Sequence, residues 1–99
     1  MLNNSKISNS DFLNSNFELV ELIDVQINNS KFDRATFKLS NLTRAKFIEC
    51  NLTGANFNNT NLKNSTFERC DLKNVEDWHK SSELASCNYS TSVNIPNIN

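Results

Sequence analysis

Glycine, proline and histidine are nearly absent from this sequence, with one of each among 99 residues. Turns rich in glycine or proline therefore cannot connect its elements. No apolar run approaches the roughly 18 residues that a membrane-spanning helix needs, and the N-terminus lacks the charged-then-apolar pattern of a signal peptide. We expect a cytoplasmic protein with no membrane partner.

An excess of charge of one sign is also missing, since ten basic and eleven acidic residues leave a net charge of −1. Nucleic-acid-binding domains usually carry a basic patch, so we expect no direct contact with nucleic acid. The three cysteines are odd in number and form no CxxC pair, which favours free thiols in a reducing compartment. Cys50 and Cys70 lie twenty residues apart; free thiols are expected there, with a disulfide as the alternative.

Catalytic and metal-binding patterns are lacking as well. The single histidine, His79, has no second histidine or cysteine at a spacing typical of a metal site. No Ser-His-Asp or Cys-His set can be assembled around it. We predict no catalytic residues, no metal and no cofactor, so the chain is not expected to be an enzyme.

The sequence does contain an unbroken repeat of five residues. A large apolar residue occupies every fifth position from Leu2 to Leu72, and all seven phenylalanines fall in this register. Chance would produce that placement of phenylalanines roughly once in 16,000 trials. The core predicted from the repeat includes Phe12, Phe17, Phe32, Phe37, Phe47, Leu52, Phe57, Leu62, Phe67 and Leu72.

The residue two places before each large one is small or β-branched, and the residue between them is usually polar. A helix would scatter a five-residue period around all its faces, and a continuous strand would flip it from side to side. A short extended segment followed by a corner satisfies the pattern, with the small and large residues inward. Asn9, Asn14, Asn29, Asn59 and Asn64 are suited to the corners because asparagine tolerates unusual backbone angles.

Charge placement indicates the number of corners in one coil. Opposite charges lie twenty residues apart in four pairs and like charges in none, counted within residues 1–74. The four pairs are Asp11 with Lys31, Glu18 with Lys38, Asp24 with Arg44, and Glu49 with Arg69. Neighbouring residues on adjacent rungs should attract, so the charges favour twenty residues and four sides per coil.

Several five-residue units resemble the motif of pentapeptide-repeat proteins, Ala-(Asp/Asn)-Leu-x-x with phenylalanine allowed at the centre. The units that carry the resemblance are Ala45-Lys-Phe-Ile-Glu49, Cys50-Asn-Leu-Thr-Gly54, Ala55-Asn-Phe-Asn-Asn59, Thr60-Asn-Leu-Lys-Asn64 and Cys70-Asp-Leu-Lys-Asn74. The resemblance implies an all-β fold, a right-handed quadrilateral β-helix of about four coils. The family hosts many roles, so the fold does not decide the function.

The repeat ends after Val75, which divides the chain into three parts. Residues 1–75 form the predicted β-helix. Residues 76–86 are predicted to form a short capping helix with Asp77 as its N-cap, in which Trp78 and Leu84 cover the end of the column. Residues 87–99 form a polar tail that we expect to be flexible.

Apolar residues in outward positions point to the function. They are Leu13, Leu19, Ile23, Leu39 and Ile48. Leu19 and Leu39 are twenty residues apart and should stack, with Ile23 just beyond the same corner, and these three are the candidate partner surface. We predict a non-catalytic scaffold or protein–protein interaction module that binds a protein partner.

Association of the chain with itself is a further expectation. The N-terminal coil leaves strand edges open, which favours a homodimer or partner contact through it. The rival arrangement is a dimer through the C-terminal helix, as the resemblance to gyrase-protecting relatives implies. Two alternatives to the scaffold stay open: a DNA mimic that binds DNA gyrase, and a fragment of a translocated bacterial effector. The short column, the near-neutral charge and the lack of an inserted loop depart from the gyrase-binding pattern.

Overall fold

The computed structural model describes residues 2–96, apart from the side chain of His79. The chain winds as an all-β solenoid, a four-sided right-handed β-helix, which confirms the predicted fold. One side of each of the first four coils is a three-residue strand: β1 (Lys6–Ser8), β2 (Gln26–Asn28), β3 (Lys46–Ile48) and β4 (Thr66–Glu68). These strands stack in the order β1-β2-β3-β4, all parallel.

The strand register gives the length of one coil. Ile7 pairs with Ile27, Ile27 with Phe47, and Phe47 with Phe67. Isolated bridges on the other sides keep the same step, for example between Asn16 and Thr36. Twenty residues therefore complete one coil, as the charge pattern predicts.

Each corner depends on one residue with a positive φ. This residue comes two places after the large apolar one, as at Arg44 (φ 55) and Asn64 (φ 55). On three of the four sides a hydrogen bond closes the turn, such as the one from Ala45 N–H to the Leu42 carbonyl at 2.9 Å. A positive φ at the third residue of a closed four-residue turn is typical of type II turns. The five asparagines predicted at corners all have this conformation.

The polar residue within each repeat stabilises the corner that follows it. Asn41 Oδ1 accepts a hydrogen bond from Thr43 N–H at 3.0 Å, and Asn61 Oδ1 accepts one from Lys63 N–H at 3.0 Å. Such side-chain-to-backbone bonds, two residues apart, are the reason that asparagine and aspartate favour turns. The preference for these residues at this position thus has a local physical cause.

The core consists of stacked columns of the large residues. Phe37 lies between Phe17 and Phe57, with ring centroids 5.3 and 5.2 Å away and nearly parallel rings. Polar residues in the small inward positions bond to backbone carbonyls, as Thr60 does to the Phe37 carbonyl at 2.7 Å. Buried hydroxyls are therefore satisfied and cost the fold little.

Of the ten predicted core residues, eight are buried and two are half-buried. The half-buried residues are Phe12 and Phe17. Both belong to the first coil, which has a neighbouring coil on only one of its faces within residues 2–96. Their exposure follows from that position at the end of the column.

The C-terminal segment differs from the predicted capping helix and tail. Residues 76–86 contain two 3-10 helices of one turn each, Trp78–Lys80 and Leu84–Ser86, in place of an α-helix. Asp77 precedes the first with φ 55 and makes no side-chain capping bond. Glu83 precedes the second with φ 61.

These two turns lie within the last turn of the column, residues 76–96, which we call the fifth coil. Glu76, Ser82, Asn88 and Val93 form parallel bridges to Asn56, Asn61, Thr66 and Asp71, one turn earlier in the column. The steps are 20, 21, 22 and 22 residues, because each 3-10 turn adds one residue to its side. Residues 88 and 93, expected in a flexible tail, are thus paired with the column, while residues 97–99 of that tail lie outside the described part.

Trp78 and Leu84 both pack against the core. Trp78 is 1% exposed, and its ring lies 5.3 Å from that of Phe57 and 5.4 Å from that of Phe67. Leu84 is half-buried, and Tyr89 packs edge-on against Trp78 at 5.5 Å. The fifth coil therefore closes the apolar interior at this end.

Candidate functional site

The candidate site is a corner of the column that carries leucine in two successive coils. We call it the leucine corner and define it by Leu19 and Leu39. Their side chains are 75% and 53% exposed. Asn59 occupies the same corner in the third coil, with the same left-handed backbone (φ 55).

Both leucines have the left-handed conformation that the corner imposes, with φ 60 at Leu19 and φ 58 at Leu39. This conformation costs a residue with a Cβ atom about 1–2 kcal/mol, and asparagine bears it more easily. An exposed leucine there has an unfavourable backbone and leaves apolar surface in water. Neither feature helps the column to fold.

The backbone holds the two leucines in line. Leu19 N–H donates to the Lys38 carbonyl at 3.1 Å, and Leu39 N–H donates to the Asn58 carbonyl at 3.1 Å. Glu18 and Lys38 immediately precede the two leucines. The result is a small apolar surface with charged neighbours, as at the centre and rim of protein interfaces.

The third residue of the predicted surface, Ile23, lies at the next corner. It follows Leu22, so one whole side of the coil separates it from Leu19. Ile23 is half-buried, and its N–H donates to Asn3 Oδ1 at 2.9 Å. The structure thus brings Leu19 and Leu39 together and sets Ile23 apart, because four residues nearly span one side.

A shallow cavity of about 400 Å³ lies at the diagonally opposite corner. The residues that line it are of polar types and include Asn9, Ser10, Asp11, Asn29 and Lys31. These groups largely bond to each other: Asn29 Nδ2 donates to Asn9 Oδ1 at 2.7 Å, and Ser10 N–H donates to Ser30 Oγ at 3.1 Å. The cavity is a gap between stacked amides and has no obvious ligand chemistry.

The three cysteines are free and buried. A hydrogen bond with Cys50 and burial raise the pKa of the Cys70 thiol, whereas that same bond lowers the pKa of Cys50. Burial raises the pKa of Cys87 to about 11, opposed by a hydrogen bond from Ser65. Thiols with raised pKa values are poor nucleophiles, which applies to Cys70 and Cys87. All three cysteines are buried in the core.

Within the described residues, no three histidine, cysteine, aspartate or glutamate side chains come together to hold a metal ion. In that same part of the chain, no helix is long and apolar enough to cross a bilayer.

The repeat, the coil length and the parallel register decide the family. A family model described as a pentapeptide repeat region matches residues 1–76. The chain belongs to the pentapeptide-repeat family. No curated protein matches it.

Several solved pentapeptide-repeat structures are similar to this chain. One is a trypsin-treated form of QnrB1, a plasmid-mediated fluoroquinolone resistance protein, at 22% identity and TM-score 0.57. That match covers 75% of this chain and 40% of QnrB1, so the chain spans about two fifths of the solved protein's length. A second trypsin-treated form matches at 25% identity and TM-score 0.51, over 74% of this chain and 36% of that one. Rfr23, from the cyanobacterium Cyanothece 51142, matches at 16% identity and TM-score 0.48, over 92% of this chain and 61% of that chain.

Proposed function

We propose that this chain is a non-catalytic interaction module that binds a protein partner through the leucine corner. The observation that carries the proposal is the exposure of Leu19 and Leu39, at 75% and 53%, in a backbone conformation that disfavours leucine. The left-handed backbone recurs at every corner, but the exposed apolar side chains at this one are not needed by the fold, and exposed apolar surface often marks an interaction site. The solenoid holds the backbone of the two leucines in line, so binding needs no ordering of a loop there.

Affinity capture with a matched pair of variants tests the proposal. The bait is the full chain, compared with Leu19→Asn/Leu39→Asn, which places at both corners the residue found at position 59. The control is Ile48→Asn, which removes an apolar side chain from another outward position whose counterpart in β2 is Asn28. A partner that binds the wild type and the control but is lost by the double variant supports the proposal.

The captured partner is then purified and its Kd measured for the three proteins. Removal of two apolar contacts at an interface centre should weaken binding by about tenfold or more. Equal Kd values for the wild type and the double variant would show that the leucine corner is not the contact.

A second candidate function is binding to DNA gyrase, which is favoured by the fold shared with QnrB1 over 75% of this chain. A net charge near zero is unlike the acidic surface of a DNA mimic. A supercoiling assay with gyrase and a fluoroquinolone separates the two candidates. Protection of supercoiling by the wild type would favour gyrase binding. Inhibition by the drug that is the same with and without the protein would favour the interaction module.

A further inference from the structure

Cys50 and Cys70 occupy the same inward position in the third and fourth coils. The residues that follow them, Asn51 and Asp71, form a parallel bridge, and Asp71 N–H donates to the Cys50 carbonyl at 3.1 Å. Residues stacked on neighbouring rungs have Cα atoms about 4.8 Å apart. A disulfide needs Cα atoms roughly 4.4–6.8 Å apart, so the backbone already holds the two cysteines at a suitable distance.

The side chains in this column reach back toward the preceding coil. Ser92 shows the direction, because its Oγ accepts a hydrogen bond from Cys70 N–H at 3.1 Å. The Cys70 sulfur likewise accepts a hydrogen bond from the Cys50 backbone, and the two thiols are hydrogen-bonded to each other. Cys70 Sγ also lies 3.3 Å from the carbonyl of Phe47, in the coil of Cys50. The Cys70 sulfur therefore lies against Cys50.

We propose that Cys50 and Cys70 are a redox-active thiol pair that a hydroperoxide converts to a reversible disulfide between the third and fourth coils. The Cys50 thiolate attacks one peroxide oxygen, the O–O bond breaks, and Cys50 becomes a sulfenic acid while the released hydroxide takes up a proton. Cys70 then loses its proton and attacks Cys50 Sγ, which forms the S–S bond and breaks the S–O bond. Two thiols are oxidised, and hydrogen peroxide is reduced to two water molecules.

The hydrogen bonds in the pair assign the two roles. The bond from Cys70 lowers the pKa of the Cys50 thiol, although burial opposes this. The same bond, together with burial, raises the pKa of Cys70. Cys50 is therefore the thiol that attacks the peroxide. Its oxidation removes the thiolate that holds the Cys70 proton, so Cys70 becomes free to ionise and to attack in turn.

The oxidant has a short path to the pair. Both cysteines are buried, but each directly follows an exposed corner residue, Glu49 or Arg69. A local opening of one corner, without unfolding of the column, admits a molecule as small as hydrogen peroxide. The site thus favours small hydroperoxides over bulky disulfide oxidants.

The third cysteine lies outside this pair. Cys87 accepts a hydrogen bond from Ser65 Oγ at 3.2 Å, and Asn88 N–H donates to the Ser65 carbonyl at 2.9 Å. Cys87 therefore stacks on Ser65, one side of the coil away from Cys70. It should remain a free thiol when the pair is oxidised.

Peroxide treatment of the full reduced chain tests the proposal. The number of free thiols in the denatured protein should fall from three to one, and the intact mass should decrease by about 2 Da. Trypsin cuts after lysine and arginine and places the cysteines on separate peptides, 47–63, 70–73 and 81–99. A digest without reductant should join 47–63 to 70–73 and leave 81–99 free.

Thermal melts measure the effect on the column. The disulfide closes a loop of twenty residues, so oxidation should raise the melting temperature by about 10 °C, and dithiothreitol should reverse the shift. Cys50→Ser and Cys70→Ser should each show no rise. Serine fits both positions, because Ser30 and Ser92 fill this column in the neighbouring coils and bond to backbone carbonyls.

Cys87→Ser is the matched control and should keep both the cross-link and the rise in melting temperature. Melts of the untreated variants check that each column is folded. A wild type that retains three thiols in excess peroxide overturns the proposal. So does a cross-link through Cys87 or to a second chain, oxidation that stops at Cys50 alone, or an oxidised protein that melts no higher than the reduced one.

Discussion

Arg44 and Asp24, twenty residues apart, form a two-point ion pair at one corner of the column. Arg44 Nε lies 2.7 Å from Asp24 Oδ1, and Arg44 Nη2 lies 2.9 Å from Asp24 Oδ2. The hydrogen bond from Arg44 lowers the pKa of Asp24 below its ordinary value of 3.8, although slight burial opposes this. The pair connects the second and third coils on the surface.

Because the folded pKa is the lower one, the stabilisation from this pair is present above about pH 4 and is lost as the pH falls through the folded pKa. We expect an NMR titration to place the Asp24 carboxyl pKa below 3.8 in the wild type. Arg44→Gln should return it toward 3.8, and high salt should move it the same way by screening. An Asp24 pKa that is the same in wild type and Arg44→Gln would contradict the assignment.

Phe37 should be a point of weakness for the whole column. Phe37→Ala removes a fully buried ring that stacks on both neighbours, and we expect it to lower the free energy of unfolding by about 3–5 kcal/mol. Phe17→Ala is the control, because Phe17 is half-buried in the end coil and should cost less. Urea denaturation measures both. Equal losses of unfolding free energy in Phe37→Ala and Phe17→Ala would mean that the end coil is covered in solution.

The leucine corner offers a reciprocal test of backbone strain. Leu39→Asn should raise the free energy of unfolding by about 1 kcal/mol, because asparagine accepts a left-handed backbone. Asn59→Leu, one coil further along the same corner, should lower it by a similar amount. Thermal melts of the two variants should shift in opposite directions. A loss of stability in Leu39→Asn would show that its side chain supports the fold.

Cys87 should make the protein sensitive to alkali. Its pKa rises from an ordinary 9.0 to about 11 on folding, so the folded state keeps a proton that the unfolded state releases. Stability from this group is therefore complete below pH 9.0 and decreases as the pH rises toward 11. Urea melts at pH 8 to 11 should show a smaller decrease for Cys87→Ser than for the wild type. If the free energy of unfolding decreases equally with pH in both proteins, Cys87 is not the cause of the sensitivity to alkali.

Trp78 should stabilise the fifth coil by packing and not by hydrogen bonding. Its indole Nε1 is buried and has no hydrogen-bond partner among the described residues. Trp78→Ala should cost about 3–5 kcal/mol, and Trp78→Phe clearly less, because phenylalanine keeps most of the contact with Phe57 and Phe67. Differential scanning calorimetry compares them. Equal costs would indicate that the indole N–H is essential.

Most of the column could be predicted from the sequence because one side-chain pattern repeats in every coil. The phenylalanines gave the period, and four charge pairs gave the coil length. Only two of these pairs form ion pairs, Asp24 with Arg44 and Glu49 with Arg69. Asp11 instead accepts the Leu13 N–H at 3.0 Å, since a nearby backbone donor competes with a partner on the next rung.

The fifth coil could not be predicted because its sides do not keep the five-residue period. Trp78 comes one residue later than the repeat requires, so the register seemed to end at Val75. Asp77 is a common helix N-cap residue, but aspartate also tolerates the left-handed backbone that it adopts here. A search allowing six-residue units would align Trp78 and Leu84 with the columns below them.

The extra residues of the fifth coil give the column a polarity. A further coil of twenty residues stacked on it would meet sides of unequal length, so growth in that direction lacks a matching template. The first coil, by contrast, has the regular twenty-residue outline. Head-to-tail stacking of two copies would set this regular outline against the unequal sides of the fifth coil, so the unequal sides oppose growth into a filament.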